Sequence, residues 1–105
     1  MVLARRPWQT TTAGSGRDAV QKWQTGHFDL ILMDLQMPDM DGLEATRQIR
    51  QQETGKDKKV GIIGLTAHAS RAMQQECLDA GMNDVLVKPF EGASLYAAIE
   101  RCLAD

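Results

Sequence analysis

A chain of 105 residues, 43% apolar and 25% charged, has the composition of one soluble globular domain. Its net charge of −2, with Lys and Arg scattered, gives no electrostatic footprint for nucleic acid or an anionic membrane. No apolar run approaches the ~20 residues that cross a bilayer. The start, MVLARRPW, lacks the order and the long apolar region of a signal peptide, so a cytoplasmic domain is expected. Cys77 and Cys102 have no metal-ligand spacing and read as buried, reduced thiols.

In chain order, the TTT run suggests a first strand over Gln9–Ala13, because β-branched residues favour extended backbone. GSG then turns the chain into a helix over Arg17–Gln24, with Ala19, Val20 and Trp23 at helical spacing. A strand over Leu30–Met33 ends on Asp34, and a helix over Gly42–Gln52 carries Ala45, Thr46 and Ile49 on one side. After a solvated turn at residues 54–59 comes a strand over Val60–Leu65, ending on Thr66. A helix over Ser70–Ala80 stops at Gly81, a natural C-terminal residue. The last strand, Val85–Val87, ends on Lys88, and a final helix spans Ala93–Leu103.

None of the three apolar strands alternates with polar residues, which is the pattern of strands buried on both faces of a parallel sheet. Strand and helix alternate throughout, so an open α/β sheet built from right-handed crossovers is expected. Ligands bind such sheets beyond the carboxyl ends of the strands. Asp34, Thr66 and Lys88 would stand there: a carboxylate, a hydroxyl and an ammonium on one rim. These residue types suit phosphoryl transfer, in which Asp34 is the nucleophile, Lys88 neutralises an anionic oxygen and Thr66 donates a hydrogen bond. The competing reading has Asp34 capping a loop, with Lys88 merely paired to it.

FDLILMDLQMPDMDG, LTAHA and KPF, in that order with helices between them, resemble the receiver domain of two-component response regulators. The TAHA form and the MPDMDGLEATRQIR run are similar to receivers attached to hybrid sensor histidine kinases. The resemblance implies a flavodoxin-like receiver fold, a parallel sheet flanked by helices, over residues 9–105. It implies that Asp34 is the phosphoacceptor, supplied by a histidine on a kinase or phosphotransfer domain. It also implies that Thr66 is the switch hydroxyl, that Lys88 contacts the acyl phosphate, and that Asp34 and the Gln36 main-chain carbonyl are Mg²⁺ ligands.

Two departures from the family pattern stand out. Receivers open with a central strand ending in an acidic pair, followed by a helix, and the eight residues before Gln9 cannot supply both. Residues 1–8 therefore read as a remnant or irregular segment of a truncated receiver, with ARR left from the helix and Pro7 ending it. Without the acidic pair, Asp34 and the Gln36 carbonyl make a poor octahedral site, so weak Mg²⁺ binding and impaired phosphorylation are expected. Asp39 and Asp41 are weaker candidates as substitute ligands, and Asp41 fits better as the cap of the helix at Gly42.

The missing strand would leave two edges open between the TTT and Asp34 strands. Three ways of closing them exist: the TTT strand moves across, MVLA forms a substitute strand, or two chains associate. A homo-oligomer is the expectation favoured here. The second departure is Val85, where receivers usually carry the Tyr or Phe of their switch; a valine has no ring to swing, so output through the last strand's face would be altered. Phe90, Trp23 and Met73 read as packing, His27 and His68 as ordinary residues, Trp8 as an interface candidate, and Met37 and Met40 as loop or partner contacts.

The leading functional reading is a phosphorelay receiver, a switch and phosphoryl carrier and not a metabolic enzyme. The alternative is a phosphorylation-independent interaction module with the same fold. A haloacid-type hydrolase would need a second aspartate two residues after the nucleophile, where Gln36 stands.

Overall fold

The structure, a computed structural model, describes residues 2–5, 9–35, 42–55, 59–67, 70–88 and 91–103. Its five strands are β1 (Val2–Arg5), β2 (Gln9–Thr12), β3 (Leu30–Asp34), β4 (Gly61–Thr66) and β5 (Asp84–Val87). Its four helices are α1 (Gly16–Thr25), α2 (Gly42–Gln52), α3 (Arg71–Ala80) and α4 (Gly92–Leu103). Every element expected from the sequence is present within a few residues. The one addition is β1.

One sheet has the order β2-β1-β3-β4-β5. β3 and β4 pair in parallel from Leu30↔Gly61 to Asp34↔Leu65, and β4 and β5 from Ile63↔Asp84 to Thr66↔Val87. β1 runs antiparallel to both of its neighbours, with Val2 opposite Thr12 and Leu32 and with Ala4 opposite Thr10 and Leu30. The sheet is therefore mostly parallel rather than wholly so. Its direction follows from the connection: only residues 6–8 separate β1 from β2. So short a link allows a hairpin, whereas a parallel neighbour would need a crossover of about a dozen residues.

Residues 2–5 are thus a core strand and not an irregular remnant, and Ala4 and Arg5 extend instead of beginning a helix. Of the three ways of closing the gap, the chain takes the second. The gap that motivated an oligomer is closed within one chain. No helix precedes β2 among the described residues.

Alternation along the strands divides the core into two layers. On one face Leu3, Ile31, Met33 and Ile62 meet Ala19 and Val20 of α1, Ala45 and Ile49 of α2, and Cys77 of α3. On the other, Ala4, Leu30 and Ile63 meet Ala98 of α4, with Leu32, Leu65, Leu86, Ile99 and Cys102 packed around them. Neither cysteine forms a disulfide. Cys77 is buried, and burial, with the nearby Glu76 charge second, pushes its thiol pKa up. Cys102 is only half-buried.

The helix ends match their sequence signals. Ser15 and Ser70 accept hydrogen bonds from the Asp18 and Met73 amides, each at 3.1 Å. Gly81 ends α3 with φ of +114°, a left-handed conformation that side-chain-bearing residues rarely adopt.

A polar knot that sequence reading did not single out ties the amino-terminal side of the sheet. Arg50 donates to the carbonyls of Gly81 (2.8 Å) and Val60 (2.7 Å), to Glu53 Oε1 (2.6 Å) and to Asn83 Oδ1 (2.9 Å). Buried Glu53 accepts the Val60 amide at 2.7 Å through its other oxygen, and Asn83 Oδ1 also accepts the Ile62 amide at 2.9 Å. The end of α2, the start of β4 and the turn into β5 are thereby fixed to one another. A buried pair that loses one partner leaves the other unmatched.

Glu53→Ala should therefore destabilise the fold by about 3–5 kcal/mol in urea unfolding. Leu3→Ala, at a fully buried position of β1, should cost about 2–5 kcal/mol in the same measurement. A loss below about 0.5 kcal/mol, the range of surface substitutions, would show that β1 is not a core strand.

Candidate functional site

The three parallel strands finish on one rim, and each ends at a residue expected there. Asp34 closes β3 opposite Leu65, and the Leu35 amide continues the pairing by donating to the Leu65 carbonyl at 3.1 Å. Thr66 closes β4 opposite Val87, and the Lys88 amide donates to the Thr66 carbonyl at 2.7 Å. The backbone ladder thus runs one residue past the ends of β3 and β5 and holds three side-chain origins in register.

Across this rim Lys88 Nζ lies 3.2 Å from Asp34 Oδ2. The lysine side chain is 43% exposed and the aspartate 32%. A pair this exposed contributes at most about 1 kcal/mol to folding, so its chemistry matters more than its stabilisation. Thr66 is 1% exposed, and among the described residues no buried side-chain nitrogen or oxygen lacks a hydrogen-bond partner. The rim carries a reachable carboxylate, a cation beside it and a buried hydroxyl one strand away.

The structure therefore assembles Asp34, Thr66 and Lys88 at one end of the sheet. Gln36, Asp39, Asp41, Met37 and Met40 lie outside the described residues, as do Trp8, Pro7, His68 and Phe90. His27 is exposed, while Trp23 and Met73 pack against the core as the sequence suggested. Val85 packs there too, opposite Gly64.

Among the described residues, a divalent cation beside Asp34 finds few ligands. Among the described residues no three His, Cys, Asp or Glu side chains gather as a metal site. On the β1 side of β3, the last paired position brings Val2 against Leu32, two apolar residues. Mg²⁺ requires near-octahedral oxygen coordination, so the described donors do not fit it well.

Residues 2–100 match the response regulator receiver domain family, and the chain belongs to it. It is a receiver domain similar to segments of histidine kinases. It is 42% identical over 92 residues to hybrid signal transduction histidine kinase B of Dictyostelium discoideum, covering 79% of this chain and 5% of that protein. The chain spans about a tenth of the length of the first curated relatives it matches. The receiver domain of a sensor histidine kinase from Pseudomonas aeruginosa, described with a magnesium ion coordinated in its active site cleft, is 43% identical. That match has a TM-score of 0.77 and covers 90% of this chain and 76% of the other. A Saccharomyces cerevisiae receiver domain, solved with a histidine phosphotransfer signalling protein, is 36% identical with a TM-score of 0.74, covering 87% and 72%.

Because the Lys88–Asp34 pair is exposed, Lys88→Ala should change stability by less than about 1 kcal/mol. Equilibrium unfolding of this variant checks whether the lysine is structural. A larger loss would make it so.

Proposed function

We propose that this domain accepts a phosphoryl group on Asp34 from a phosphohistidine of a histidine kinase or histidine phosphotransfer domain. The observation that carries the reading is the 3.2 Å contact of Lys88 Nζ with Asp34 Oδ2, made across the end of β4 from the ends of β3 and β5. An Asp34 oxygen attacks phosphorus, the P–N bond breaks, and the imidazole leaves with the electron pair. Lys88 neutralises charge on the transferring group, and Thr66 supplies a hydrogen bond to one of its oxygens. The product is an aspartyl phosphate, so the domain is a carrier and switch rather than a metabolic enzyme. No described helix is long and apolar enough to cross a membrane, and the proposed place of work is the cytoplasm.

The similar Pseudomonas aeruginosa receiver is described with Mg²⁺ in its cleft. Here the ion would have Asp34 and the Gln36 carbonyl for protein ligands, too few for tight binding. Weak Mg²⁺ affinity and slow phosphorylation by small donors follow. The reversed β1, with apolar Val2 opposite Leu32 two residues short of Asp34, also favours a second reading: an interaction module that keeps the receiver shape and takes no phosphoryl group. A homo-oligomer loses its motive once β1 occupies the gap.

Incubation with a phosphohistidine donor and Mg²⁺ should add one phosphoryl mass that is stable to acid and labile to base. Asp34→Asn should abolish it, and Lys88→Ala should slow it by about 10²-fold, the scale of losing one charge-stabilising group. No adduct on the wild-type chain would leave the interaction-module reading. In a parallel titration, Mg²⁺ should bind more weakly than to a receiver with the complete acidic pair; equal affinity contradicts the weak-site expectation.

A further inference from the structure

Gly42 is the first residue of α2. It is buried and lies against the very end of β3. A Cβ built on it would lie 2.8 Å from the Asp34 main-chain oxygen, 2.8 Å from Leu35 Cδ2 and 2.9 Å from Met33 Cγ. These separations are shorter than carbon contacts of ordinary packing. One of the three is to backbone held by the β3–β4 ladder, which has no rotamer to change. The glycine is itself fixed from the helix side, where the buried Thr46 hydroxyl donates to the Gly42 carbonyl at 2.7 Å.

We propose that Gly42 is a positioning residue for the acceptor carboxylate: it lets the start of α2 lie directly on the Asp34 backbone, so that the strand end, and with it the carboxylate, stays within reach of Lys88. The proposal rests on the reading of Asp34 as acceptor only for its catalytic consequence. The glycine's role here is close approach. Helices ordinarily gain from replacing glycine by alanine; at this position the added methyl presses on the residue bearing the functional group. A misplacement of about 1 Å can cost 10²-fold in a positioned reaction.

The test compares Gly42→Ala with Gly61→Ala in the full chain labelled with ¹³C and ¹⁵N. A Cβ at Gly61 would press on the Cys102 thiol, and its nearest backbone contact is the Asp29 oxygen at 3.4 Å, at the far end of β4 from Thr66. The Asp34 carboxyl carbon and Lys88 Nζ signals should shift in Gly42→Ala and stay in place in Gly61→Ala. Phosphoryl transfer from the phosphohistidine donor should fall by about 10²-fold in the first and be unchanged in the second.

Should Gly42→Ala fold poorly, the double variant Gly42→Ala/Leu35→Ala removes a side-chain contact and keeps the pressure on the Asp34 carbonyl. Folding should recover with the Asp34 signal still displaced. Wild-type signals in either variant would overturn the proposal. If the wild-type chain takes no phosphoryl group, the acceptor reading falls, and the two signals alone decide the role of Gly42.

Discussion

A connection of only three residues between β1 and β2 shapes both the fold and the site. It confines β1 to a hairpin, and that hairpin fills the position between β2 and β3 which would otherwise expose two strand edges. Leu3 and Ala4 then reach opposite core layers from a strand of four residues. The same reversal decides what stands near Asp34. A parallel strand would carry its carboxyl end to the acceptor rim, whereas β1 brings its beginning, with apolar Val2 opposite Leu32. The sheet is completed by a strand that cannot deliver acidic groups from its end to the site.

Stability and chemistry are separated along the strand axis. On the amino-terminal side, Arg50, Glu53 and Asn83 form a network around the buried Glu53 carboxylate, in which each residue serves backbone as well as side chains. At the carboxyl rim, the Asp34–Lys88 pair is open to water and contributes little to folding. The knot fixes the start of β4 against the turn into β5, and the ladder carries that register to Thr66 and Lys88. Precise side-chain placement at the rim is thus inherited from order at the opposite end.

Much of this was legible in the sequence because it depends on periodicity and strand order. The runs Leu30–Met33 and Val60–Leu65 announced buried parallel strands, and the crossover rule then put Asp34, Thr66 and Lys88 on one rim. Gly81 marked the end of α3 by its capping chemistry, while the Ser70 cap at its start emerged only with the fold. β1 was harder: MVLARR mixes apolar residues with two arginines over too short a span for either period to show. Its strand nature comes from the unpaired edges of β2 and β3, a tertiary demand that the local sequence does not express. Arg50 and Glu53 stand three residues apart with no motif around them, and only the fold reveals the backbone groups they serve.

The charge inventory of the rim follows from these constraints. In a complete receiver site a divalent cation would offset the negative charge gathered around the acceptor, including the acidic pair's own. Here β1 brings neither the pair nor its charge, so less positive charge is needed for the carboxylate to face an incoming phosphoryl group. Lys88 is already in place to supply one unit of it at 3.2 Å. What is lost is geometric: a metal orients several oxygens at once, while an ammonium on a flexible stem acts as a point charge. The burden of orientation then shifts to the backbone, to the ladder joining Asp34, Thr66 and Lys88 and to the close seat of α2 behind Asp34. A site oriented in this way should depend more, not less, on the rigidity of its strand ends.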